Sequence, residues 1–293
     1  MEPVFRSDLA MERWNAAKIS HGRGRGVPGV TYRRTTVQGI GVHTMAVETQ
    51  EASDVLCKPI GNYYTVSLDK TIKRVDDSFA DTAQCISHLL RRVLPHGDHF
   101  LIVCLGNPKI TPDAIGPKCS ESIMVTRHLK EWMPQDFAPF STVSMICPGV
   151  LGTTGIESAN IVKGVVEAVR PHAVIAVDAL AAASPDRLCR TVQICDTGIE
   201  PGSGVGNRRY ALNAETLGVP VISIGVPTVV DADTFIYSMM EDAAPKQGRG
   251  EGMFITPREI DSFVAHSAKL IAYSINLALH ADLTLEDIDL FIT

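Results

Sequence analysis

The chain has 293 residues, 45% hydrophobic and 20% charged, the balance of a soluble globular protein with one large α/β domain or two smaller ones. Its formal net charge of −6 argues against a general nucleic-acid binder, which carries a basic excess. No apolar run reaches the roughly 18 residues of a membrane span, and MEPVFRSDLAMERW lacks the apolar core of a secretory signal, so the expected location is the cytoplasm.

The first 30 residues read as separate from the rest, because SHGRGRGVPG (20–29) has the Gly, Arg and Pro content of a linker. From about 31 to 69, TTVQGIGVHTMAV and YYTVSL alternate β-branched with other residues around Gly turns, which predicts an antiparallel β element. Apolar residues at helical spacing predict a helix over 71–94, stopped by Pro95. HFLIVCL (99–105) is then a buried strand, followed by a polar loop and a helix around 115–130. A strand at 141–146, a helix at 156–169, and strands at 173–180, 191–196 and 219–226 come next, and a long helix at 258–280 follows. Strands alternating with helices predict an α/β fold, a mainly parallel twisted sheet covered on both faces. In such sheets active sites form in the loops beyond the carboxyl ends of the strands.

Two carboxylates occupy such positions. Asp113 lies in GNPKITPDAIGP, and Asp178 ends the apolar run AVIAVD. Read locally, Asp113 is an N-cap for a helix beginning at Ala114, and Asp178 a loop carboxylate accepting backbone N–H groups. Read together, parallel-sheet topology brings both to one edge of the sheet. Two carboxylates in a partly apolar cleft cannot both ionise easily, which makes an acid and a base from identical side chains. The longest polar loop, DTGIEPGSGVGNRR (196–209), supplies candidate substrate or oxyanion contacts at Asp196, Thr197, Gly198, Gly202, Ser203, Gly204 and Asn207. It matches neither phosphate-binding glycine pattern. Its D-T-G triplet occurs once, in an α/β pattern, unlike the paired triplets of pepsin-like proteases.

Nine histidines show no metal-ligand spacing. Seven cysteines, odd in number and without a C-x-x-C pair, argue against a disulfide framework and a structural zinc site. Cys104 reads as core, and Cys195 lacks an indicated His base. The chain is therefore read with no cofactor and no metal.

The segments GNPKITPDAIGP, GTTGIESANIVKGVV, AVIAVDALAA, TVQICDTGIEPGSGVGNRR and LGVPVISIGVPTVVDADT together resemble the spore germination proteases. Those are atypical aspartic-type endopeptidases that degrade small acid-soluble spore proteins. The resemblance implies that Asp113 and Asp178 are the essential pair, since they fall in the family's T-P-D-A-[IL]-G-P and A-[IV]-D-A-L-A motifs. It implies an autoprocessed zymogen, with FRSDLAME as the processing segment: Arg6, Ser7, Asp8, Leu9, Ala10, Met11 and Glu12. It further implies a homotetramer in the cytoplasm of the spore core, acting on the spore proteins without binding nucleic acid or membrane itself. The domain reading is a short pro-segment at 1–12, then one peptidase domain at 13–293 with a β-rich subregion at about 31–69. The body is also similar to hydrogenase-maturation endopeptidases, which hold nickel with two carboxylates and a histidine. A metal-dependent maturation endopeptidase, or a non-catalytic sporulation protein binding a ligand through the Gly-rich loop, stand as alternatives.

Overall fold

The computed structural model describes residues 6–20, 26–72, 78–203, 209–239, 252–280 and 282–292. Among them, nine strands form one sheet: β1 (Val30–Val37), β2 (Ile40–Val47), β3 (Gly61–Ser67), β4 (His99–Cys104), β5 (Thr142–Ile146), β6 (Ala173–Ala182), β7 (Thr191–Cys195), β8 (Val221–Asp231) and β9 (Phe254–Ile255). The spatial order is β1-β2-β3-β7-β8-β6-β4-β5, with β9 added at β8.

Strands β5, β4, β6 and β8 pair in parallel. β6 and β8 are buried at almost every position because helices cover both faces, so each side of the pleat meets core. One face packs against the helices Ser78–Val93, Ile115–Ser120 and Ile260–Leu279, through Phe100, Ile102, Ile175 and Val177. The other packs against Ser158–Val169, through Leu101, Val103, Val174 and Ala176. Side chains alternate along a strand, so Asp178 shares the second face with Val174 and Ala176.

The α/β architecture with a helix on either side agrees with the sequence reading, and the N-terminal strands are antiparallel as expected. Three features differ. β7, read as one more crossover strand, runs antiparallel to both β3 and β8 and so joins the N-terminal ribbon to the main sheet. The stretch between Ala182 and Thr191 holds only the short turn Pro185–Arg187, and a parallel return needs about a dozen residues or more. The helix expected around 115–130 is two short ones, Ile115–Ser120 and Arg127–Trp132. Of the stretch 20–29, residues 21–25, with arginines 23 and 25, lie outside the described residues.

The segment ahead of the first helix, Ala10–Ser20, is anchored to the sheet. Leu9 is buried with Leu180, Ala182, Leu188 and Val230, a burial that contributes about 2 kcal/mol. Glu12 takes hydrogen bonds from Ser7 Oγ (2.5 Å), Ala183 N (2.6 Å) and Ser184 N (3.0 Å), which compensates its burial.

Candidate active site

β4 hands the chain to the Asp113 loop through Gly106. Its φ is +116°, and a Cβ there would lie 2.0 Å from the Asp113 carbonyl oxygen, so only glycine fits. The next amide, Asn107 N, donates to the Asp113 carbonyl (3.0 Å) and to Asp113 Oδ2 (2.9 Å). Pro112 supplies a fixed φ inside the single 3₁₀ turn Thr111–Asp113. The helix that follows begins at Ile115 with Ala114 as its N-cap and no side-chain cap bond. Asp113 is therefore not the helix cap that a local reading suggests. Its carboxylate turns back toward β4.

Asp178 lies within β6, four residues before its end, so it is a strand residue and not a loop residue. It is 5% exposed, and its Oδ1 accepts from Ala179 N at 2.9 Å. Both aspartates line one cavity of about 400 Å³, with Ile110, Val150, Leu151 and Phe254 on its apolar walls. No ion pair reaches either carboxylate among the described residues. Burial pushes Asp113 up to about 6, partly opposed by the Asn107 hydrogen bond. Burial also pushes Asp178 well above the usual carboxylate range, and the negative charges of Asp113 and Asp8 add to that. Asp113 is thus a destabilising influence on ionised Asp178, the arrangement in which one carboxyl keeps its proton while the other loses it.

Asp8 is the neighbour that sequence reasoning did not place here. Its N–H donates to Ala181 O (2.8 Å), and its Oδ2 accepts from Ala181 N (2.8 Å). Its Oδ1 accepts from Ser203 Oγ at 2.6 Å. Its carbonyl accepts from Lys58 Nζ (2.8 Å) and Gln193 Nε2 (3.0 Å), and Gln193 Oε1 takes the Ala10 N–H at 2.8 Å. The 6–12 segment is thus pinned beside Asp178 by main-chain and carboxamide bonds. Gln193 carried a signal in the sequence: a carboxamide in the middle of the apolar run TVQIC needs a polar partner. Ser7 does act at the helix start, its Oγ accepting from Leu9 N at 2.9 Å. Arg6 reaches Asp231 at 3.2 Å, and Met11 packs with Trp14 and Met45.

The Gly-rich loop divides. Asp178 borders a second, smaller cavity of about 110 Å³ whose wall includes Thr197, Gly198, Gly202 and Ser203. Gly202 borders both cavities, and Arg209, paired with Glu157 at 3.5 Å, stands on the larger one. Asp196 lines neither. Its two oxygens are taken by Asn62 N and Asn62 Nδ2, each at 2.7 Å, which ties β7 to β3. Gly204 and Asn207 lie outside the described residues. Among the described residues, no three His, Cys, Asp or Glu side chains converge as a metal-ligand set.

The family model described as germination protease matches residues 7–249. The germination protease of Caldanaerobacter subterraneus subsp. tengcongensis is 38% identical, covering 96% of this chain and 95% of its own length. That of Clostridium perfringens is 38% identical with 98% of both chains covered, and that of Bacillus cereus 35% identical over 94% and 93%. Among solved structures, the nickel–iron hydrogenase maturation protease HycI from Thermococcus kodakarensis aligns at TM-score 0.37 and 21% identity, over 64% of this chain and 98% of its own. The match spans residues 7–249, which include both aspartates, and relatives align along nearly the whole length; the chain belongs to the germination protease family.

Proposed function

We propose that this peptidase opens small acid-soluble spore proteins at germination by aspartate-pair activation of water. The observation that supports it most is the shared cavity of Asp113 and Asp178, with both acidities weakened by burial and, among the described residues, no ion pair to either carboxylate; Arg209 on the same wall is paired with Glu157. Asp113, the less shifted of the two, is the base: ionised, it takes a proton from a water bound in the cavity. Asp178, protonated, gives its proton to the scissile carbonyl oxygen. Asp113, now carrying the proton from water, passes it to the leaving nitrogen, and collapse of the tetrahedral intermediate returns a hydroxyl proton to Asp178. The amide of Gly202, on the wall of both cavities, is the candidate donor to the developing oxyanion. The apolar walls exclude water and strengthen each of these interactions.

This assignment sets the pH dependence. The rate of cleavage is expected to rise with pH through about 6 as Asp113 ionises, and to fall again at higher pH as Asp178 loses its proton. Stability follows the opposite trend over the lower limb. The folded state holds the Asp113 proton more tightly than the unfolded chain does. That group's contribution is complete below the unfolded carboxylate range and is lost as pH rises through about 6. A flat rate between pH 4.5 and 7.5 contradicts the assignment.

The same reading makes FRSDLAME the processing segment of a zymogen. In support, Asp8 stands on the wall of both cavities, where it adds negative charge beside Asp178 and fills space a substrate would use. Cleavage after Ala10 or Glu12 would cut within or beside the first turn of a buried helix, so that turn must unwind first. Mass spectrometry of the active protein is expected to find a new N-terminus just after one of those two residues. An uncut N-terminus in fully active enzyme refutes the zymogen reading. A homotetramer in the cytoplasm of the spore core completes the proposal.

A further inference from the structure

A separate cavity of about 810 Å³, twice the volume of the one holding the aspartates, opens between the helix Ala10–Ser20, the β1–β2 ribbon and the β6–β7 connection. Arg34, His43, Arg187 and Arg190 stand on its wall. Among the described residues no ion pair engages Arg34 or Arg187, whereas Arg190 Nη1 lies 3.9 Å from Asp69 Oδ1. Three carboxylates share the wall. Glu12 is saturated by its three donors, and Asp69 is engaged by Arg190 and by Ser67 Oγ at 2.9 Å. Only Asp186, exposed to solvent, is left against two uncompensated guanidinium groups. The local potential is positive, and His43 registers it: burial first, then Arg34 and Arg187, lower its pKa. Its Nδ1 is 2.7 Å from Tyr32 Oη. With the phenol donating, Nε2 keeps its hydrogen and adds a neutral donor. Ile19 and Ile40 give the same cavity apolar surface.

We propose that this cavity is a binding site for a small organic anion, its carboxylate or phosphate groups held by Arg34 and Arg187 and its carbon body resting on Ile19 and Ile40. Planar guanidinium groups match both head groups through paired N–H donors. The apolar surface favours an organic anion over a bare inorganic one. The inference stands apart from the aspartate chemistry and does not depend on it.

The test follows His43 by NMR while phenyl phosphate, phthalate or sulfate is titrated into the full chain. An anion bound beside an imidazole favours its charged form, so phenyl phosphate or phthalate is expected to saturate and to raise the His43 pKa. By the same linkage, binding tightens as pH falls from 8 to 6. Arg187→Gln is expected to weaken binding at least about tenfold, the loss of one charge-assisted pair, while Asp178→Asn leaves it unchanged. The relative affinities of phthalate and phenyl phosphate identify the preferred head group. Failure of both organic probes to saturate overturns the proposal, as does full affinity in Arg187→Gln. Sulfate binding as tightly as either organic probe, with no response at His43, overturns it as well.

Discussion

Asp178→Asn is expected to cleave a small acid-soluble spore protein at least about 10³-fold more slowly than the parent while remaining folded. The two consequences have separate causes. An asparagine oxygen can still accept the Ala179 N–H bond that Asp178 makes, so the local backbone keeps its partner. The substitution also removes a carboxyl whose ionisation is disfavoured by burial and by Asp113 and Asp8. The melting temperature should therefore hold or rise. What is lost is the proton that the mechanism needs at the scissile carbonyl oxygen. A variant that unfolds says that the carboxyl is structural; one that stays folded and turns over normally says that it is idle.

Gly106→Ala is expected to damage fold and activity together, through a different route. Alanine at φ +116° is strained by about 1–3 kcal/mol. Its Cβ would also meet the Asp113 carbonyl oxygen at 2.0 Å, and relieving that clash displaces the carbonyl that accepts the Asn107 N–H. The same movement shifts the Asp113 carboxylate, which the same amide holds. A loss of a few kcal/mol in chemical denaturation, with cleavage reduced even well below the melting temperature, is the expected pattern. Gly164→Ala serves as the comparison. Gly164 is exposed in the helix Ser158–Val169 with open space where a Cβ would stand, so that change should stabilise by about 0.5–1 kcal/mol. Equal responses from the two glycines would remove the case for a backbone-built Asp113 loop.

Much of this site was legible in the sequence, for identifiable reasons. Both aspartates follow apolar runs whose composition announces buried strands, and the rule that α/β sites lie beyond strand carboxyl ends put them together. The direction of β7 was not legible. A strand buried on both faces reads alike whichever way it runs, and the short link after Ala182 was the only available sign. The role of Asp113 as a cap was misread for a similar reason. Sequence shows that a carboxylate precedes a helix, but the glycine geometry at 106 decides that it bonds backward to Asn107. Asp196 drew attention through its Gly-rich surroundings, yet it serves the pairing of β3 with β7 through Asn62. Asp8 was read as part of a processing segment, but its position beside Asp178 depends on contacts spanning more than 170 residues, which no local pattern encodes.

The central claim is that Asp113 and Asp178 act as one acid–base pair. A single comparison tests it: incubation of a purified small acid-soluble spore protein with the parent enzyme and with Asp113→Asn, followed by mass spectrometry of the fragments. The account predicts discrete cleavage by the parent, insensitive to chelators, and none by Asp113→Asn over the same period. Cleavage at a near-parental rate by Asp113→Asn would contradict it.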